Sequence, residues 1–141
     1  MSEFRFYHPI EVRYGDLDPQ GHLNNSRYLT YFEQARIQYF VELGLFTPGQ
    51  SFMDIGVIMA EARVVFHAPV HFGQPVKVGV RVAKIGNKSL TVEQAILHAL
   101  SGERLASGQV ALVAFDYRAN KTIPVPDRMR EKISKFEGLQ N

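Results

Sequence analysis

The sequence predicts an α+β domain in which one antiparallel β-sheet curls around a single long central helix. Three observations predict it. A helical periodicity runs without interruption from about Asn25 to Leu43. Four strand-like segments follow it, and the later ones are joined by links too short for parallel crossovers. One strand-like segment precedes it, giving the order strand, loop, long helix, four strands.

The first strand is expected in residues 4–14, with Ile10, Val12 and Tyr14 on one face and Glu11 and Arg13 on the other. Pro9 marks its start or puts it at a sheet edge. In the helix, Tyr28, Leu29, Phe32, Ala35, Tyr39, Phe40 and Leu43 recur at three- and four-residue steps. Asn24 or Asn25 is the N-cap candidate, and Gly44 with Pro48 supplies the stop. The helix is aromatic on more than one side, which suits a helix wrapped by a sheet.

Val57–His67 is apolar on both faces near its start, the pattern of a buried central strand. Val76, Val78, Val80 and Val82 alternate with Lys77, Gly79, Arg81 and Ala83. Residues 90–99 and 110–115 alternate in the same way. The tail opens on Pro124 and Pro126, after which Asp127 caps a short helix with Met129, Ile133 and Phe136 inside. The sheet's second face also carries apolar residues. That leaves surface to cover and predicts a homodimer, with pairing of dimers into a homotetramer.

The chain has 141 residues, which fits one domain spanning 1–141. It has 16 basic and 14 acidic residues and a net charge of +2, with no basic block of the kind that grips nucleic acid. It has no cysteine, which excludes disulfides, thiolate metal sites and cysteine nucleophiles. No apolar run would span a bilayer and the start lacks a signal pattern, so the expected location is cytoplasmic. No cofactor is called for.

The chemistry concentrates between the first strand and the helix. Residues 13–28 hold Asp16, Asp18, His22, Asn24 and Asn25, with a turn forced by Pro19 and Gly21. This loop delivers a carboxylate to a helix N-terminus, whose free N–H groups and positive dipole end suit a developing oxyanion. The spacing Asp16-x-Asp18-x-Gln20-Gly21 also matches half of a calcium loop. Arg27 stands where that loop needs its bidentate Glu, however, so no metal is expected. Each residue has an ordinary alternative: Asp before Pro is common in turns, and Asn24-Asn25 can simply cap the helix.

The run Tyr14-Gly-Asp-x-Asp18-Pro-x-Gly21-His-Leu-Asn-Asn-x-x-Tyr28, with Glu33-x-Ala35-Arg36 further along, resembles the 4-hydroxybenzoyl-CoA thioesterase-like branch of the hotdog-fold thioesterases. Val64-x-Phe66-x-Ala-Pro69, Gly86-x-Lys88-Ser89 and Ile123-Pro-Val-Pro126 extend the resemblance over nearly the whole chain. It implies a sheet wrapped around a central helix, and paired subunits with sites at their interface. Asp18 is then the catalytic carboxylate and Asp16 a structural neighbour. Tol-Pal-associated members carry a histidine at the position of Asn25. The His-Leu-Asn-Asn run here is closer to long-chain acyl thioesterases and plant acyl-carrier-protein thioesterases, which use Asp and Asn, and this favours fatty acyl substrates.

The implied activity is hydrolysis of a fatty or aromatic acyl-CoA to free acid and CoA. Backbone N–H groups around Asn24–Arg27 would hold the thioester oxygen. Asp18 would act on water or attack directly, Asn25 would orient the water, Tyr14 would hold Asp18, and His22 would assist either task. Tyr28, Phe32, Val57, Ile58 and Met59 are the candidate acyl lining, and Lys84, Lys88 and Arg63 the candidate CoA phosphate contacts. Three alternatives use the same framework: an acyl-carrier-protein thioesterase, an acyl-CoA hydratase and a non-catalytic acyl-CoA-binding protein.

Overall fold

Strand β1 (Phe6–Ile10) opens the chain and lies at one edge of a six-stranded antiparallel sheet. The computed structural model describes residues 3–140. Helix α1 (Asn25–Glu42) follows, then β2 (Val57–Phe66), β3 (Val76–Ile85), β4 (Ser89–His98), β5 (Arg104–Asp116), the two-residue β6 (Lys121–Thr122) and α2 (Asp127–Glu137). The strand order is β1-β3-β4-β5-β2, with β6 added beside β5.

Alternation sorts the strands by face. Val76, Val78, Val80 and Val82 of β3, Leu90, Val92 and Ile96 of β4, and Ala106, Val110 and Leu112 of β5 are buried. They pack in one cluster with Tyr28, Phe32, Ala35 and Tyr39 of α1. Phe32 is fully buried, a burial that stabilises the fold by about 2–3 kcal/mol in transfer terms. Its ring presses on Gly108 of β5, where a Cβ would lie 2.3 Å from Phe32 Cε2. Gln94 of β4, also buried, donates from Nε2 to the Phe32 carbonyl at 2.9 Å and accepts from Arg36 Nη1 at 3.0 Å. One close approach and two polar contacts thus pin the middle of α1 to the sheet.

The expected wrap of one antiparallel sheet about one long helix is what forms, and Asn24 is the N-cap. Three details differ. The first strand ends at Ile10, because Ile10 pairs with Val76, the first residue of β3, and the chain beyond has no partner. Val12 and Tyr14 therefore lie outside it, and Tyr14–Asp16 forms a 3-10 turn. Pro9 sits within this edge strand, where its missing N–H is tolerated.

Strand β2 is not central. It pairs only with β5 and forms the other edge of the sheet. Ile58, Met59, Val65 and Phe66 are 39%, 45%, 43% and 49% exposed. Helix α1 lies over β1 and β3, and a cavity opens between α1 and the start of β2.

Helix α2 begins at Asp127, with Pro126 as its N-cap, so Asp127 is a first-turn acid rather than the cap. Met129 and Ile133 are buried as expected. At its end Glu137 Oε2 accepts from Tyr39 Oη at 2.6 Å and from the Val82 amide at 3.0 Å. Val82 adjoins a β-bulge, which leaves its N–H available to a side chain.

Candidate active site

The loop between β1 and α1 folds on its own backbone. Asp18 N–H donates to the His22 carbonyl at 2.8 Å, and Gly21 N–H donates to the Asp18 carbonyl at 3.0 Å. Gly21 holds φ at 79°, which a side chain would resist. Leu23 N–H donates to the Val70 carbonyl at 2.7 Å, and a bridge joins His22 to His71. The segment after β2 thereby supports the loop.

Asp18 Oδ1 accepts the amides of Gln20 at 2.9 Å and His22 at 3.1 Å. This Asx-type turn fixes the carboxylate and occupies one of its oxygens. Oδ2 accepts no hydrogen bond among the described residues. Asp18 lines a cleft of about 250 Å³ with His22, Asn25 and Tyr28. Its opposite wall is Phe66, His67, Ala68 and Pro69.

At the helix start, Asn24 Oδ1 accepts the Ser26 amide at 3.0 Å, and Arg27 N–H donates to the Asn24 carbonyl at 2.8 Å. Asn24 N–H donates to the Asp16 carbonyl at 2.8 Å. The Asn25 amide of this first turn has no acceptor among the described residues, and Asn25 lines the cleft. One preorganised donor therefore stands near one free carboxylate oxygen.

Asp16 faces the other way. It is 1% exposed and accepts from Tyr31 Oη at 2.8 Å and from Arg13 Nη2 at 3.3 Å, while Arg27 Nε lies 3.6 Å away. Burial pulls its carboxyl upward, but the hydrogen bonds from Arg13 and Tyr31 and the Arg13 charge outweigh that pull and hold it below the usual carboxylate range. Tyr31 is pushed well above the ordinary phenol value, first by burial and then by its bond to Asp16. Tyr28 is also raised, by burial first and by the nearby Asp18 charge; a hydrogen bond from the Val70 backbone opposes this. Its ring meets Phe66 edge-on at 4.7 Å.

The structure thus gathers Asp18, His22, Asn25 and Tyr28. It does not bring Tyr14 to Asp18: Tyr14 is 84% exposed, and backbone amides do the holding instead. Asn24 spends its side-chain oxygen on the cap. Phe32 is sealed beneath the helix and lines no open space. Val57, Ile58 and Met59 line a different cavity, of about 540 Å³, farther along α1.

Lys84 and Lys88 sit at the far end of the sheet. Lys88 accepts the Ala114 amide through its carbonyl, and Ala114 lies opposite Val57, at the start of β2. The cleft lies at the other end of β2, about 30 Å away at strand rise. Arg63 lines a shallow depression with Glu93, Ser107 and Gln109, apart from the cleft.

The cleft's second wall, Phe66–Pro69, and His71, whose ring lies 4.9 Å from that of His22, were not among the site candidates. The Phe-His-Ala-Pro run marks the end of an apolar strand, and in the sequence it serves only to extend the resemblance. Among the described residues no group of three or more His, Asp or Glu could hold a metal ion. No helix among them is long and apolar enough to cross a membrane.

The sequence profile of the Thioesterase-like superfamily matches residues 12–133. A thioesterase from Thermus thermophilus, crystallised with coenzyme A and Zn, is 33% identical, with a TM-score of 0.87 and full coverage of both chains (100% of each). The long-chain acyl-CoA thioesterase FadM of Escherichia coli K12 is 23% identical over 127 residues, 90% of this chain and 96% of that protein. The L-carnitine dehydrogenase/betainyl-CoA thioesterase of Agrobacterium fabrum is 28% identical over 133 residues, covering 94% of this chain but 27% of that longer protein. The chain therefore belongs to the thioesterase-like superfamily and is a thioester hydrolase of the hotdog fold.

Proposed function

We propose that this chain hydrolyses acyl-CoA thioesters to the free acid and coenzyme A, with Asp18 Oδ2 as the group that acts on water. The observation that carries this reading is the division of labour in Asp18. Oδ1 is spent on the Gln20 and His22 amides, and the carboxylate lines a cleft shared with the open Asn25 amide. The thioester carbonyl would accept from Asn25 N–H, at the positive end of α1. Oδ2 would take a proton from water as that water attacks the carbonyl carbon. The tetrahedral intermediate would then collapse with release of the CoA thiolate.

The acyl group would lie in a trough formed between α1 and β2, from Tyr28 and Phe66 toward Val57, Ile58 and Met59. A second copy of the chain would close this trough. The unpaired β2 edge and its exposed apolar side chains support that arrangement. Antiparallel pairing of two β2 strands would set the β2 start of one copy beside the β2 end of the other. Lys88 of a second copy would then come near this cleft, within reach of CoA phosphates.

The test is thiol release from a panel of acyl-CoAs, comparing wild type with Asp18→Asn. Hydrolysis by wild type and a loss of about 10²- to 10⁴-fold in the variant is expected. Undiminished hydrolysis by Asp18→Asn would remove Asp18 from the mechanism. A single turnover in ¹⁸O-water should label the product acid and leave Asp18 unlabelled, whereas label in Asp18 would make it the nucleophile.

A further inference from the structure

Arg36 is 8% exposed, yet among the described residues no carboxylate lies within ion-pair distance of it. Gln94 Oε1 takes one guanidinium N–H, at 3.0 Å, out of the five that an arginine carries. Arg36 also lines the cavity of about 540 Å³ beside α1, whose other walls include Ile37, Phe40, Val57 and Met59. A desolvated cation without a counterion is costly to keep in such surroundings. The same desolvation makes it a strong partner for any anion that enters.

We propose that Arg36 is a specificity-determining residue that receives a carboxylate at the distal end of the acyl group, so that the preferred substrates are ω-carboxyacyl-CoAs rather than plain alkyl acyl-CoAs. This rests on the acyl-CoA reading above and adds the chemistry of the far end of the substrate. The cleft opens beside the first turn of α1, and the cavity opens beside the middle of the same helix. Asn25 and Arg36 are separated by about 16 Å of helix, the reach of a medium-length acyl chain. Glu33 also lines the cavity, but it is exposed and solvated, whereas the Arg36 charge is desolvated. Water screens the exposed acid far more than the buried base, so the cavity favours an anion. Burial also weakens the hold of Arg36 on its own proton, which Glu33 only partly offsets; a bound carboxylate would relieve this strain on the charge.

The experiment uses matched acyl-CoA pairs: hexanoyl with adipoyl, octanoyl with suberoyl, and dodecanoyl with dodecanedioyl. Hydrolysis by wild type, Arg36→Met, Arg36→Lys and Glu33→Gln is compared as kcat/KM. Binding of the same pairs is measured by calorimetry in an Asp18→Asn background. In at least one pair wild type should favour the ω-carboxyl member by roughly tenfold or more. Arg36→Met should abolish that preference, with a modest fall in melting temperature because Gln94 Oε1 loses its donor. Arg36→Lys should keep part of the preference, and Glu33→Gln should increase it.

Equal binding and equal hydrolysis within every pair would overturn this proposal and leave the thioesterase reading intact. A less stable Arg36→Met protein with unchanged preference would make Arg36 a structural residue and overturn the proposal as well. Binding of ω-carboxyl members without thiol release from any acyl-CoA would support the Arg36 site and overturn the hydrolytic reading instead. Failure to bind any acyl-CoA would overturn both.

Discussion

Tyr31 on α1 donates a 2.8 Å hydrogen bond to Oδ2 of Asp16, a buried carboxylate two residues before Asp18. This bond ties the helix to the loop that carries Asp18. Arg13 binds the same carboxylate, and Arg27 stands beside it. A carboxyl held below its unfolded value contributes stability above that value and loses it as pH falls through the folded value. Unfolded aspartate titrates near 3.9. Stability should therefore hold at neutral pH and decline as pH drops below about 4. Tyr31→Phe should lower stability at pH 7 by about 1–2 kcal/mol and shrink the acid-dependent decline. Urea titrations of both proteins across acid pH would check this.

Asp18→Asn should separate structure from chemistry. The asparagine Oδ1 can accept the same Gln20 and His22 amides, so unfolding free energy should stay within about 0.5 kcal/mol of wild type. Asp18→Ala removes the acceptor and should cost about 1–2 kcal/mol. Denaturant melts of both variants, read beside their activity, would show whether the turn and the reaction use different oxygens.

Gly108→Ala should strain the fold. Its methyl would meet Phe32 Cε2 at 2.3 Å, between a strand and a helix that have no room to part. Overpacking of this kind costs about 1–3 kcal/mol. Adding Phe32→Leu should recover part of the loss, because it withdraws the ring from the methyl. A double-mutant cycle in thermal unfolding measures the coupling.

Val65→Lys should test the β2 edge. Val65 is 43% exposed in the single chain, so the change should cost little in the fold itself. If two copies pair through β2, each new lysine would be pressed against the apolar start of the other copy's β2 and weaken the pair. Light scattering after size exclusion should then report a smaller species than wild type. An unchanged mass would place any association elsewhere.

The helix was legible because three- and four-residue spacing survives whatever packs on it, and β3, β4 and β5 because their alternation matches the buried face. Strand β2 was misread for a physical reason. An apolar edge and an apolar centre look alike in one chain, since sequence does not say which molecule supplies the neighbouring strand. Tyr14 was misread because Ile10, Val12 and Tyr14 keep alternating after β3 has run out of residues to pair with. The nearness of Asp18, His22, Asn25 and Tyr28 to one another was legible, because one short loop and the helix start carry all four. The amides that hold Asp18 were not, because every residue carries one. Nor was the Arg36–Gln94 pair, whose members are far apart in sequence and meet only through the fold.

The two borders of the sheet differ in kind. At β1 the border carries Pro9, which offers no N–H to an incoming strand, and at β2 the border is ten residues long and contains no proline. In the language of polymer chemistry, each molecule has a functionality of one. Units with a single joining end can couple but cannot propagate, so any strand-to-strand association through β2 would end at two molecules rather than run on into a fibre.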